Sequence, residues 1–174
     1  PASRRALRSF DEANVSEQIS DVLKNIASDK NLLIGAIRTV RDYRKFSNLK
    51  TIVSLAKSND GDIAKESIES LFRLARQDPL PDSILHQTEF LLKELSRQTY
   101  MAFGQISLFT GNDKAILIND YLSNFIKKKK ELILKLSLMP FPDSPIETYQ
   151  HALLSGDLSA RSNALEILDN LLPI

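Results

Sequence analysis

Residues 145–172 read PIETYQHALLSGDLSARSNALEILDNLL and residues 48–75 read NLKTIVSLAKSNDGDIAKESIESLFRLA, and a shift of 97 positions lays one on the other without a gap. The shift pairs Leu49 with Ile146, Thr51 with Thr148, Ile52 with Tyr149 and Ser58 with Ser155. It goes on to pair Asp60 with Asp157, Glu69 with Glu166, Leu71 with Leu168 and Leu74 with Leu171. Two helices joined by an Asp-containing turn, recurring in one chain, mark an α-solenoid whose units bury their apolar faces by stacking. The expected fold is all-α. Such stacks are mostly surfaces for partners, so function has to be argued from side chains and not from architecture.

Working outward, residues 1–13 carry three arginines and little apolar periodicity, which suits a basic arm or the end of a preceding helix. Residues 14–174 form one expected helical-repeat domain with pairs at about 16–45, 47–77, 82–139 and 145–172. Ser16 is placed to cap a first helix with Ile19, Val22, Leu23 and Ile26 on one face. Asp29 can cap a second with Leu33, Ile37, Val40 and Tyr43 inward, while Arg38, Arg41 and Lys45 point elsewhere. Ser47 opens a short helix, Asp60-Gly61 turns into the next, and Asp78-Pro79-Leu80-Pro81 stops it, because proline lacks the N–H and disfavours helical geometry in its predecessor.

The middle differs from the ends. One apolar-periodic segment runs from Asp82 to about Phe109, closes at Thr110-Gly111, and is followed by another from Asn112 or Asp113 to Pro140. At about 1.5 Å per residue each reaches roughly 40 Å, so a long central helical hairpin is expected. Ser144, Pro145 and Glu147 then supply a cap, a first helical residue and the third position of a capping box.

Composition fits a soluble, cytosolic-type helical domain: 43% hydrophobic and 26% charged residues, with five glycines. The absence of cysteine excludes disulfides and thiolate metal sites. No stretch approaches the roughly 18 uncharged apolar residues of a membrane span, and PASRRALRSF lacks the apolar run of a signal peptide. The start without Met and the Leu-Pro-Ile end, where a repeat protein needs a polar cap, suggest a piece of a larger protein.

In GDLSARSNALEILDNLL, Asp157 opens the turn, Ala160 and Ala164 are small inward positions, Arg161 follows the first of them, and Leu168 and Leu171 fill the core. This resembles the HEAT repeat, whose second helix follows a turn Asp with a Val-Arg pair, an Ala and spaced Leu residues. The likeness covers about 28 residues here and is partial over 48–75, where Ala64 replaces the arginine and Ser67 the alanine. It implies a HEAT-like α-solenoid of antiparallel helix pairs in which Asp157 and Arg161 form part of a ladder between neighbouring turns. Together with the Pro-rich turn at 139–142 and the long hairpin, RSNALEILDNLL also looks like the HEAT-type domains attached to bacterial transporters of the ATP:ADP-translocase and major-facilitator type. That likeness implies a cytoplasmic accessory or regulatory domain beside a membrane module.

The formal charge of +1 hides segregation. Residues 1–57 hold 11 Lys and Arg against 6 Asp and Glu, residues 58–96 hold 4 against 8, residues 97–138 hold 7 against 3, and residues 139–174 hold 1 against 5. Neighbouring layers of opposite sign could attract, and the basic helices could equally meet phosphates or anionic lipid. Lys127, Lys128, Lys129 and Lys130 span about 300° of a helix, so at least one interrupts the stripe of Leu122, Ile126, Ile133 and Leu136. A solvated, protruding helix explains them, and so does docking to a membrane surface, nucleic acid or an acidic partner. Arg38, Arg41, Arg44 and Lys45 form a second basic group, for which salt-bridged surface is the default and phosphate contact the alternative.

Chemistry finds little purchase. His86 and His151 have no neighbouring ligands at metal spacing, and the chain contains no nucleophile elbow, phosphate loop or H-E-x-x-H. Tyr100, Met101, Phe103 and Phe109 are expected in the core, with an exposed partner groove as the alternative. The expectation is a non-enzymatic interaction or regulatory scaffold without cofactor or metal, whose partner is a protein or a flanking domain of the same chain. Peripheral contact with an anionic membrane is a further expectation, and nucleic acid the weakest. Phosphate-ligand binding by the basic helices is the rival reading.

Overall fold

A computed structural model describes residues 12–25, 29–43, 48–109, 115–143, 146–154 and 157–171. Among these residues the regular structure is helical throughout: α1 Glu12–Lys24, α2 Lys30–Tyr43, α3 Leu49–Leu55, α4 Gly61–Ala75, α5 Asp82–Phe109, α6 Ile116–Ser137, α7 Ile146–Leu154 and α8 Leu158–Leu171. Two compact units, Pro1–Gln87 and Thr88–Ile174, divide the chain, and α5 starts in the first and continues through the second. No described helix is long and apolar enough to cross a membrane.

In the first unit α1 packs on α2, and α4 packs on both α2 and α3. The Asp29 carboxylate accepts from the N–H groups of Asn31 and Leu32 at 2.7 and 3.2 Å, which starts α2 as the sequence predicts. Asp60 does the same for α4 through Asp62 and Ile63 at 2.9 and 3.2 Å. Leu33, Ile37 and Val40 from α2, Leu49, Ile52 and Val53 from α3, and Ile68, Leu71 and Leu74 from α4 are buried together. Two expectations change here. Helix α1 begins at Glu12, ahead of Ser16, because nothing in Glu12-Ala13-Asn14 breaks a helix. Arg41, expected to point away from the core, is buried, because a carboxylate on α4 meets it there. Tyr43, Arg44, Lys45, Ser47 and Ile26 lie outside the residues whose side chains are described.

The second unit is dominated by the long hairpin of α5 and α6. At 28 and 22 residues these helices run about 42 and 33 Å. Helix α5 passes through Gly104 unbroken, and open space surrounds the position of a Cβ there. Ala102 of α5 meets Leu122 and Ile126 of α6, with Ile106 and Phe125 packed against them. The small Ala102 lets the helices approach. Asn119 of α6 donates through Nδ2 to the carbonyl of Phe109 at 3.4 Å and satisfies one of the carbonyls left open at the end of α5. The caps expected from Asn112, Asp113, Thr110-Gly111, Ser144 and Pro145 fall outside the described residues.

Helix α6 ends where Leu138 and Met139 are buried ahead of Pro140, and it packs on α7, which pairs with α8. Asp157 accepts from Ser159 and Ala160 at 2.8 and 3.4 Å to cap α8. The register of 97 is kept by the elements themselves: α3 and α7 begin at Leu49 and Ile146, and α4 and α8 at Gly61 and Leu158.

Candidate functional site

The outer half of the hairpin exposes apolar surface. Each of its helices has a seam stripe, with Leu91, Leu95, Thr99 and Ala102 buried on α5, and Leu122 and Ile126 on α6 behind a buried Ala115 at its start. A second apolar stripe lies roughly 100° round each helix, and because the helices are antiparallel the two fall on the same flank. Gln105, Leu108 and Phe109 of α5 and Leu117, Ile118, Tyr121 and Leu122 of α6 line an open groove of about 580 Å³ on that flank. Leu108 is 81% exposed and Leu117 82%. Tyr100, Met101 and Phe103, expected in the core, are exposed as well, because the seam needs only one narrow stripe per helix. Leu117, Ile118 and Tyr121 escaped the sequence reading. Their signal is the run Ile116-Leu117-Ile118, which spans about 200° of a helix and cannot face one seam.

The lysine run sits behind this groove on α6. Lys129 is the one that interrupts the seam: burial lowers its pKa, and its ammonium lies 5.3 Å from the Phe125 ring centre. Lys130 lies on the other flank, 4.9 Å from the Phe103 ring centre. Lys127, Lys128 and Lys130 are exposed and form no ion pair with a described residue, whereas Lys135 pairs with Glu131 at 2.9 Å. On α5, Arg97 holds Glu94 at 2.7 Å, and that hydrogen bond, helped by one from Gln98, lowers the Glu94 carboxyl to about 2.

Arg38 and Arg41 serve a different end. Arg38 donates to Glu66 at 2.7 Å and Arg41 to the other carboxylate oxygen at 3.4 Å, with Glu66 and Arg41 both buried between α2 and α4. Burial would raise the Glu66 pKa, but the Arg38 hydrogen bond and the charges of Arg38, Arg41 and Arg73 bring it below the usual carboxylate range. Lys30 extends this strip, bridging Asp60 at 2.9 Å and Asp62 at 2.7 Å, and the two carboxylates raise its pKa. These charges lock helices together, while Arg44 and Lys45 lie outside the described residues.

At the other helix pair, Arg161 donates through Nε to the carbonyl of Leu153 at 3.2 Å and ties the start of α8 to the end of α7. In the first unit, where Ala64 occupies the arginine position, Lys30 answers Asp60 instead. Among the described residues no group of three or more His, Cys, Asp or Glu could hold a metal ion. The chain matches no protein-family model, no curated protein and no solved structure. The meaning of the hairpin surface therefore rests on its own chemistry.

Proposed function

We propose that this chain is a non-enzymatic helical-repeat module of the HEAT-like α-solenoid type, and that its long hairpin is the element through which it contacts a partner. The observation that carries this reading is the apolar flank at the outer half of the hairpin. A helix pair that served only as a spacer has no reason to present leucines more than four-fifths exposed beside a tyrosine, since water contact of that surface is unfavourable. The 97-residue register of the caps and helix starts supports the repeat character, with Asp157 and Arg161 as its local ties. In keeping with the transporter-domain resemblance, the module acts as an accessory or regulatory part of a larger, membrane-associated protein.

A photo-crosslinking residue at Tyr121, compared with one at the exposed Glu89 near the hairpin base, tests this in the cell of origin. A discrete adduct from position 121 and none from position 89 is the expected result. Equal or absent crosslinking at both positions, or substrate turnover by the purified chain that a single side-chain change abolishes, overturns it.

A further inference from the structure

We infer that the hairpin groove receives helix α8 of a second copy of this chain; this rests on the reading of the hairpin as the contact element. Beyond the hairpin, α8 is the described helix that exposes two large apolar side chains on one stripe, Leu158 at 75% and Leu165 at 59%. Ser162 between them is small and exposed, so a neighbouring helix can come close. The two leucines lie about 10 Å apart along α8, and the groove runs at least that far along α6 from Leu117 toward Lys128. Laying an apolar helix stripe in an apolar groove is a recurring mode of helix recognition. Within one chain neither surface covers the other, since both are exposed in the same unit.

Charge selects this occupant and its direction. Residues 97–138 hold 7 Lys and Arg against 3 Asp and Glu, and residues 139–174 hold 1 against 5. Lys128 is the exposed cation of the groove flank that forms no ion pair with a described residue, and it follows Leu117 by eleven positions. In α8 the sequence sets Asp169 at the same eleven positions after Leu158. With Leu158 beside Leu117 and α8 parallel to α6, the exposed Glu166 comes within a turn of Lys128. Glu166 is about 100° round from Leu165 and then falls on the α6 side of the groove. The reverse direction sends it toward the hairpin tip. Other charges leave the pairing open: Glu94 is held by Arg97, Arg161 is tied to the Leu153 carbonyl, and Asp120 lies about 100° round α6 from Tyr121. Two hairpins packed on each other would leave both α8 stripes in water, and nucleic acid would leave every one of these leucines there. One helix in an open groove buries less than the about 800 Å² per partner of a standard interface, so the association is weak and rises with protein concentration.

The chain has no cysteine, which makes an introduced pair a specific reporter. Leu117→Cys and Leu158→Cys proteins, mixed at high concentration under mild oxidation, should give a disulfide-linked pair in several times the yield of either alone. Lys50→Cys, at an exposed lysine of the first unit, should not replace Leu117→Cys in that mixture. Sedimentation of the unchanged chain should show association that grows with concentration and weakens with salt. Leu117→Ser and Leu165→Ser should each weaken it roughly tenfold. Lys128→Glu and Glu166→Lys should each weaken it about fivefold, and mixing those two proteins should restore most of the loss. Circular dichroism and thermal unfolding establish that each variant is folded.

A chain that stays monomeric at every concentration, or association untouched by these variants, overturns the inference. So does dominant disulfide formation by Leu117→Cys alone, which identifies hairpin-on-hairpin pairing. A disulfide inside single, highly diluted chains that carry both Leu117→Cys and Leu158→Cys also overturns it, because α8 then closes on its own hairpin. If the folded chain is monomeric while position 121 still crosslinks to a different protein, the second-copy inference falls and the contact-element reading stands. If both fail, both fall.

Discussion

The pair α3–α4 and the pair α7–α8 begin at positions 97 residues apart and are opened by the same aspartate cap, yet they are buried differently. Ile68 of α4 is 0% exposed, while Leu165, the residue at its register position in α8, is 59% exposed. Buried Glu66 corresponds to exposed Asn163. The cause lies outside the repeated segment. Helix α4 carries α2 along one side, joined by Arg38, Arg41 and Lys30 and by the Ser70 hydroxyl donating to the Ile37 carbonyl at 3.5 Å, and it is buried on most of its circumference. Helix α8 packs chiefly on α7. A repeat in sequence thus sets where helices start and how they are capped, while neighbours decide what each face meets.

Truncation at matched positions should break the symmetry most. Ile68→Ala opens a cavity in a fully packed site and should cost about 2–5 kcal/mol. Leu165→Ala removes atoms already in water and should stay within about 0.5 kcal/mol. Hydrogen exchange of the α4 and α8 amides, followed against urea, reads each unit separately. Similar losses at the two positions would mean that α8 is covered as α4 is.

Removing the carboxylate of Glu66 ranks second. Glu66→Ala leaves the Arg41 guanidinium in its buried site without this partner and should cost about 3 kcal/mol, against about 0.5 or less for Asn163→Ala. The pH dependence has a definite sign. The folded Glu66 pKa lies below its ordinary value of 4.5, so its contribution is complete above the unfolded value and is lost as pH falls through the folded one. Glu66→Gln should therefore be less stable at neutral pH and lose less of what remains on acidification. Parallel acid-unfolding curves for the two proteins would show that the pair does not support the first unit.

The hairpin and the helix pairs were legible because their signals are local. Prolines 79 and 81 fix one end of α5, its apolar period is unbroken to Phe109, Asp29 caps where its sequence says, and Asp60 and Asp157, read as turn residues, cap the helices that follow their turns. Arg41 was not legible, because its burial depends on a glutamate 25 residues away on another helix. The exposed flank was half legible. Periodicity reports that Met101 and Phe103 are apolar, but whether a second helix covers them depends on how many stripes the seam consumes, and Ala102 with Leu122 and Ile126 consumes one. Lys129 shows the converse, a charge whose position in the seam follows from helical geometry alone.

The smallest expected effect bears on the part of the comparison that is shared. Asp60→Ala and Asp157→Ala each remove a carboxylate that accepts two N–H groups in the first turn of its helix, worth about 1 kcal/mol. If the caps alone mattered, the two losses would be equal. Asp60 also pairs with Lys30 at 2.9 Å, but Lys30 keeps Asp62 at 2.7 Å when Asp60 is gone, and an exposed contact of this kind adds little. The Asp60 variant should therefore exceed the Asp157 variant slightly, and Asn at either position should restore most of the loss because its side-chain oxygen still accepts. A much larger gap, closed by Lys30→Met in the Asp60→Ala background, would move the weight from the cap to the bridge and make the first unit's stability a matter of contacts between helix starts.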